Sequence, residues 1–267
     1  MYKMVVSDID DTLLTDEGVV SGDTVEAIHK ALEKGVKVVL ATGRMHLSAK
    51  QVAEKIGLDL PVISYQGASV KEVKSGEVLY EQGVPTEVAQ KFIRFCHERG
   101  FHLQVYSNDK LYVKEENDKV KAYCELNDIP FYVEPKFNER FLTEPITKML
   151  IIDDPEVINE LENELKAEGN TGYYMTKSKP NFLEFMHQDV NKGAAVHQLC
   201  KHYGIDPEEV IGIGDSWNDI PLLQAVGLPV AVGNATQALK DVAKYITVSN
   251  NEGGVKEVIN KFILEKQ

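Results

Sequence analysis

The 267-residue sequence is poor in cysteine and tryptophan, with three of the first and one of the second. Cys96, Cys124 and Cys200 are odd in number and widely spaced, so they form neither a disulfide framework nor a CxxC metal or redox pair. They read as reduced, partly buried side chains of a cytoplasmic protein. No apolar run approaches the ~18 residues of a membrane span, and Met1 leads into acidic Asp8, Asp10 and Asp11 without an apolar leader. Positive charge is also scarce, since 29 Lys and Arg face 42 Asp and Glu, a formal net charge of −13. That deficit opposes nucleic acid and anionic membrane surfaces, which are bound by neutralising phosphates with Lys and Arg. A small anion stays open, because one lysine or a metal ion reverses the sign of a site locally. Internal repeats and low-complexity tracts are missing. With 43% hydrophobic and 27% charged residues, the chain is neither fibrous nor largely disordered.

What is present is an alternation of short β-branched runs with amphipathic stretches, the pattern of an α/β protein with a parallel sheet. Strands are expected at Met4–Val6, Val36–Ala41 and Pro61–Ser64, and again at Val210–Ile213, Pro229–Val232 and Tyr245–Val248. Helices are expected at Asp23–Lys34, Leu47–Ile56, Asp219–Ala225, Thr236–Ala243 and Val255–Leu264. Residues 83–186 read differently. There, strands lie close together at His102–Tyr106 and Leu111–Lys114, and at Gly172–Thr176 and Phe182–Met186, which points to antiparallel hairpins in a separate α+β module. A discontinuous core of 1–82 and 187–267 would then carry an inserted domain of 83–186, each large enough to bury its own interior.

Polar residues cluster just past the core strands, where open parallel sheets bind ligands. The first strand runs into Ser7-Asp8-Ile9-Asp10-Asp11-Thr12, the second into Thr42-Gly43-Arg44, and a later one into Gly214-Asp215-Ser216-Trp217-Asn218-Asp219. On a chain that stays extended, Asp8 and Asp10 share one face, and two crowded carboxylates remain ionised by sharing a hard cation such as Mg²⁺. The alternative is that these acids are turn formers and helix caps. An EF-hand is excluded, since Leu13 stands where its loop needs glycine. Thr42 and Gly43 offer a hydroxyl and an unhindered amide to a phosphate-like oxygen, or simply make a turn. Lys192 opens an amphipathic helix, where a cation stands against the macrodipole unless an anion is bound there. The alternative is a solvated surface lysine, and by the dipole argument its removal costs little stability.

In order along the chain, Asp8-Ile9-Asp10-Asp11-Thr12-Leu13-Leu14, Val39-Leu40-Ala41-Thr42-Gly43-Arg44, Asn191-Lys192-Gly193 and Gly214-Asp215-Ser216-Trp217-Asn218-Asp219 resemble the four motifs of the haloacid dehalogenase superfamily of phosphatases. Asp8 and Thr42 are 34 positions apart, whereas Thr42 and Lys192 are 150 apart. The insert therefore sits where the Cof-type sugar-phosphate phosphatases carry their type IIB cap. Leu183-Glu184-Phe185, Gly233-Asn234-Ala235 and Gly254-Val255 resemble that subfamily too. Two departures stand out: Gln66 occupies the usual place of an asparagine, and Glu252-Gly253-Gly254-Val255 replaces an acidic-Gly-Val segment.

The resemblance implies a Rossmann-like parallel-sheet core and Mg²⁺-dependent hydrolysis of a small phosphorylated metabolite through an aspartyl-phosphate. Asp8 would be the nucleophile and Asp10 the acid and then the base, with Asp10 binding metal through its carbonyl oxygen. Asp8, Asp215 and Asp219 would complete the Mg²⁺ site. Ile9 and Gly43 amides, Thr42, Lys192 and Asn218 would hold the phosphoryl oxygens. The cap, hinged near Gly83 and Gln188, would close over the substrate, with Glu184, Arg44 and His46 as candidate contacts. No nucleic-acid or membrane partner is expected, and the chain is expected to be a monomer or weak homo-oligomer. The alternatives are a phosphomutase on the same chemistry and a non-catalytic phospho-acceptor or metal-binding signalling protein. The Asp10 position and the inserted domain argue against a signalling receiver.

Overall fold

The computed structural model describes residues 1–169 and 172–265. Before the insert, the chain forms strands β1 (Met4–Ser7), β2 (Lys37–Ala41), β3 (Val62–Ser64), β4 (Ser69–Lys71) and β5 (Val78–Glu81). The insert adds β6 (Leu103–Ser107), β7 (Lys110–Val113), β8 (Phe131–Val133), β9 (Lys148–Ile152), β10 (Tyr173–Thr176) and β11 (Phe182–His187). The chain then returns with β12 (Val210–Gly214), β13 (Leu228–Ala231) and β14 (Tyr245–Ile246). Helices α1 (Gly22–Glu33), α2 (His46–Lys55), α3 (Thr86–Arg99), α4 (Asp118–Asn127), α5 (Phe137–Arg140), α6 (Pro155–Ala167), α7 (Lys192–Tyr203), α8 (Ile220–Gln224), α9 (Gln237–Lys240) and α10 (Gly254–Ile259) connect them.

The first sheet has the order β14-β13-β12-β1-β2-β3-β4-β5 and is parallel from β14 to β3. Its central strands are buried along their whole length, as β-branched runs in a sheet covered on both faces must be. After β1 the chain moves outward through β2 and β3, and returns on the other side of β1 as β12. The order therefore reverses between β1 and β12, the position where an open α/β sheet leaves a crevice at its strand ends. Asp8 follows one of these strands and Asp215 the other.

The insert forms a second sheet of order β10-β11-β9-β6-β7-β8, antiparallel except for β7 and β8. That parallel pair, joined through α4, corrects the expectation of hairpins alone. Two further strands, β4 and β5, extend the core sheet antiparallel. Neither was legible: β4 has three residues, and β5 is largely exposed, so it lacks the apolar face that period-two reading needs. The predicted helix at Val255–Leu264 is split into α10 and a wider turn over Asn260–Leu264. Helix α9 and strand β14 are shorter than expected. We infer the core and cap boundaries from the two sheets, at 1–82 and 187–267 for the core and 83–186 for the cap, with His187 closing β11.

An apolar seam joins the two units. Met45, Tyr65 and Ala68 of the core pack with Tyr106, Tyr123, Leu150 and Met186 of the insert. The cap sheet thus faces the carboxyl ends of the core strands.

Candidate active site

Asp8 continues the pairing of β1, its amide donating to the Ile213 carbonyl at 2.9 Å. The chain then leaves the extended conformation. Leu13 and Leu14 amides both donate to the Ile9 carbonyl (3.0 and 2.9 Å), and Asp11 adopts a left-handed φ of 55°. Both carboxylates still line the same cavity, but each has a different cation. Lys192 Nζ donates to Asp8 Oδ1 at 2.7 Å. Arg44 donates twice to Asp10, from Nε to Oδ2 at 2.8 Å and from Nη2 to Oδ1 at 2.6 Å. Burial pushes the Asp10 carboxyl up, but this two-pronged guanidinium bond outweighs it and holds the group below its ordinary value.

Lys192 lies at the start of α7, whose cap is Asn191 accepting from the Ala194 amide at 2.8 Å. Its side chain is 0% exposed and donates also to Asp219 Oδ1 at 2.6 Å. The surface-lysine alternative therefore does not describe this residue, and neither does the expectation that it is dispensable for stability. Its removal would strand two buried carboxylates, a far larger effect than the helix dipole.

Asp219 holds its loop together as well, its Oδ2 accepting from the amides of Asp215 (3.0 Å) and Ser216 (3.2 Å). A side chain at Gly214 would place its Cβ 2.5 Å from that of Asp219, so only glycine lets the loop fold this tightly. Thr12 Oγ1 donates to Asp215 Oδ1 at 3.1 Å. One carboxylate oxygen each of Asp8, Asp215 and Asp219 lie within 4.8 Å of one another. Burial raises the Asp8 carboxyl, with the Asp219 charge adding and Lys192 opposing. Burial likewise raises Asp215, reinforced by Asp219 and Asp8. Three hard oxygen donors beside one lysine are short of positive charge, and this donor set suits a small divalent cation. The Asp10 carboxylate is outside the cluster, engaged by Arg44.

Thr42 is buried, and its hydroxyl oxygen accepts from the Arg44 amide at 3.1 Å, which leaves its own proton to donate. Asn218 Nδ2 donates to Gln66 Oε1 at 3.1 Å, and its own carbonyl oxygen is buried with no partner among the described residues. Asp8, Asp10, Thr42, Gly43, Arg44, Asp215 and Asn218 all line one cavity of about 50 Å³ under the cap. Since a water needs ~10–15 Å³, that space has room for only a few. His46 is not in that wall, although Arg44 is.

Some wall residues were not singled out from sequence. Lys148, Ser178 and Lys179 reach the cavity from the cap. A signal existed for Lys148, which shares a strand face with Leu150 and Ile152, just as Glu184 shares one with Phe182 and Met186. A charge on an apolar strand face is the informative exception. Behind the cavity, Asn234 Nδ2 donates to the Asp11 carbonyl (2.7 Å) and Asn250 Nδ2 to the Leu14 carbonyl (3.0 Å), bracing the loop after β1.

The chain is similar to known proteins along nearly its whole length. Residues 5–259 match the family model of the haloacid dehalogenase-like hydrolases. A solved structure from Thermotoga maritima is similar at 33% identity and a TM-score of 0.83, covering 97% of both chains. A HAD subclass IIB sugar phosphatase is similar at 25% identity and a TM-score of 0.83, over 97% of this chain and 98% of that one. The 5-amino-6-(5-phospho-D-ribitylamino)uracil phosphatase YcsE of Bacillus subtilis (strain 168) is 28% identical over 98% of this chain and 96% of its own. With this match spanning both the strand-end acids and the inserted cap, the chain belongs to the haloacid dehalogenase-like hydrolase family.

Proposed function

We propose that the protein is a Mg²⁺-dependent phosphatase that hydrolyses small phosphate monoesters, sugar phosphates or related metabolites, through a phosphoryl group carried on Asp8. The observation that carries this reading is the placement of Asp8. Its buried carboxylate lines the cavity with Asp10 and Asp215, and is backed by Lys192 and Asp219. The named sugar and ribitylaminouracil phosphatases among the similar proteins support a small phosphorylated metabolite as substrate.

Asp8, Asp215 and Asp219, with the Asp10 carbonyl, would hold the Mg²⁺. When bound, the ion supplies the positive charge that lets a carboxylate approach an anionic phosphoryl group. Asp8 attacks phosphorus and forms an acyl phosphate as the bond to the leaving oxygen breaks. Asp10 gives its proton to that oxygen, and in the second step takes one from the water that attacks the acyl phosphate. Its pair with Arg44 holds Asp10 ionised, which is the form that accepts a proton. A substrate anion that draws Arg44 away raises the Asp10 carboxyl and prepares the acid form. Lys192, the Thr42 hydroxyl, the Ile9 and Gly43 amides and Asn218 hold the phosphoryl oxygens, where charge is spread in the transition state. The cap excludes bulk water from both steps.

The test is release of inorganic phosphate from a panel of phosphomonoesters with Mg²⁺, combined with rapid quenching to trap phosphorylated protein. Phosphate release with transient labelling of wild type, and none in Asp8→Asn, is expected. Conversion between isomers without phosphate release would identify a phosphomutase instead.

A further inference from the structure

The space at the site itself is about 50 Å³, continuing past Asp10 and Arg44 into a wider groove lined by Asn127 and Lys179, so a sugar phosphate is seated over Asp8 only if the cap shifts. Several contacts must break for this. Tyr65 OH donates to Asp109 Oδ1 (2.6 Å), Ser48 Oγ to the Asn127 carbonyl (3.1 Å) and Ser216 Oγ to the Ser178 carbonyl (3.2 Å). Two others run through a buried cap ion pair. Lys148 Nζ donates to Glu184 Oε2 at 3.1 Å, with side chains 1% and 2% exposed. Lys148 Nζ also donates to the Gly43 carbonyl at 2.7 Å, and Gln66 Nε2 donates to Glu184 Oε2 at 2.9 Å.

Neither charge is free to bind substrate in this arrangement. The Lys148 ammonium has the Gly43 carbonyl, Glu184 and the Tyr106 ring, whose centroid is 4.9 Å away, for its three N–H bonds. Glu184 accepts from Gln66 and Lys148 on one oxygen and from Ser178 Oγ on the other. Both ends of the pair act on the core. Lys148 grips the peptide that follows the Gly43 amide. A carboxylate only accepts, so Glu184 forces Gln66 to turn its NH₂ toward the cap and its carbonyl oxygen toward Asn218. The fit is tight, because a Cβ on Gly43 would lie 2.3 Å from Gln66 Nε2 and 3.2 Å from Glu184 Oε2. Gln66 itself is held at φ 59°, a left-handed conformation rare for a side-chain-bearing residue.

From this we infer that Lys148 and Glu184 are positioning residues coupled to cap closure, orienting Gly43 and, through Gln66, Asn218 only when the cap is seated. They act on the phosphoryl-binding groups and not on the leaving group. The Gln66 substitution then has a purpose: its extra methylene spans from Asn218 to the cap. The inference rests on the phosphatase reading for its kinetic consequence, but not for its conformational one.

The molecule carries a reporter. Trp217, the single tryptophan, lies at the seam with the cap residue Lys177 5.5 Å above its ring. Acrylamide quenching of Trp217 is to be measured in wild type, Lys148→Met, the nearly isosteric Glu184→Gln and the double variant, alongside melting curves that certify folding. Both single variants are expected to expose Trp217 to quencher. With Mg²⁺, each should lower kcat by about 10²-fold, the usual consequence of misplacing binding groups by an ångström. The loss should be equal for p-nitrophenyl phosphate and for glucose 6-phosphate, and the double variant should lose no more than the worse single. A loss confined to one leaving group would overturn the inference and make the pair a substrate contact. Unchanged quenching in folded Glu184→Gln would overturn it as well, as would additive losses in the double variant. If wild type releases no phosphate from any ester, the function reading fails, while the quenching comparison still decides the latch.

Discussion

Replacing Lys192 by methionine tests the electrostatic centre of the site. Methionine keeps much of the apolar stem, so the repacking cost is small, and the change isolates the ammonium. That ammonium is wholly buried and bonded to Asp8 at 2.7 Å and Asp219 at 2.6 Å. Removing one partner of a buried ion pair costs about 3–5 kcal/mol, because the other charge is left uncompensated. Relief of the helix dipole returns at most about 1 kcal/mol. At about 2–4 °C per kcal/mol for a chain of this size, the net cost of about 2–5 kcal/mol should make the metal-free variant melt roughly 4–20 °C lower. The sign of the pH dependence follows from the carboxyls. Without Lys192, the Asp8 carboxyl, already held above its ordinary 3.8 by burial and Asp219, rises further. A folded-state value above the unfolded one means stability is lost as pH climbs from about 4. Burial lowers the Lys192 ammonium, but Asp219 and Asp8 outweigh this and raise it above 10.5, so wild type keeps its cation through that range. The deficit should therefore be small at pH 4.5, large at pH 8, and reduced by Mg²⁺. Differential scanning calorimetry in EDTA and in Mg²⁺ at both pH values measures it. A variant that melts within 2 °C of wild type at pH 8 in EDTA would refute the reasoning. In the same protein, kcat/KM should fall by ~10²-fold or more, since charge-assisted contacts in a dry site are worth a few kcal/mol.

Asp8→Asn should lose phosphate release by several orders of magnitude while remaining folded by circular dichroism, and a tenth of wild-type rate would sink its assignment as nucleophile. Asp215→Ala should raise the Mg²⁺ concentration for half-maximal activity, and Ca²⁺ should substitute poorly in wild type because its looser coordination misplaces the reacting groups. Burial, Asp219 and Asp8 raise the Asp215 carboxyl, so this group costs stability above pH 4. The metal-free Asp215→Ala protein should accordingly lose less stability than wild type between pH 5 and pH 8, and parallel melting profiles would contradict the shift. Gly43→Ala should cut kcat/KM by about 10²-fold, as its Cβ would displace Gln66 Nε2 from 2.3 Å. Wild-type kinetics in that variant would show that the loop tolerates movement.

The sequence by itself determined the class of fold and the order in which the strand-end residues follow one another. Parallel-strand runs such as Met4–Val6 and Val210–Ile213 carry no polar side chain because both sheet faces are covered, and that pattern is local. The acids, Thr42 and Lys192 were legible because each directly follows a strand or opens a helix, where backbone geometry alone brings it to the sheet edge. Partnership was decided only by tertiary structure. Asp8 and Asp10, two residues apart in the wall of one cavity, answer to Lys192 and Arg44, one from beyond the insert and one from before it. Strand β5 escaped notice since an exposed strand has no apolar face to reveal it. The Lys148–Glu184 pair joins strands 36 positions apart and then reaches Gly43 and Gln66, so its role depends on how one sheet sits over the other. Periodicity encodes which face a side chain takes; which buried charge it meets depends on contacts between distant segments, and no local pattern contains them.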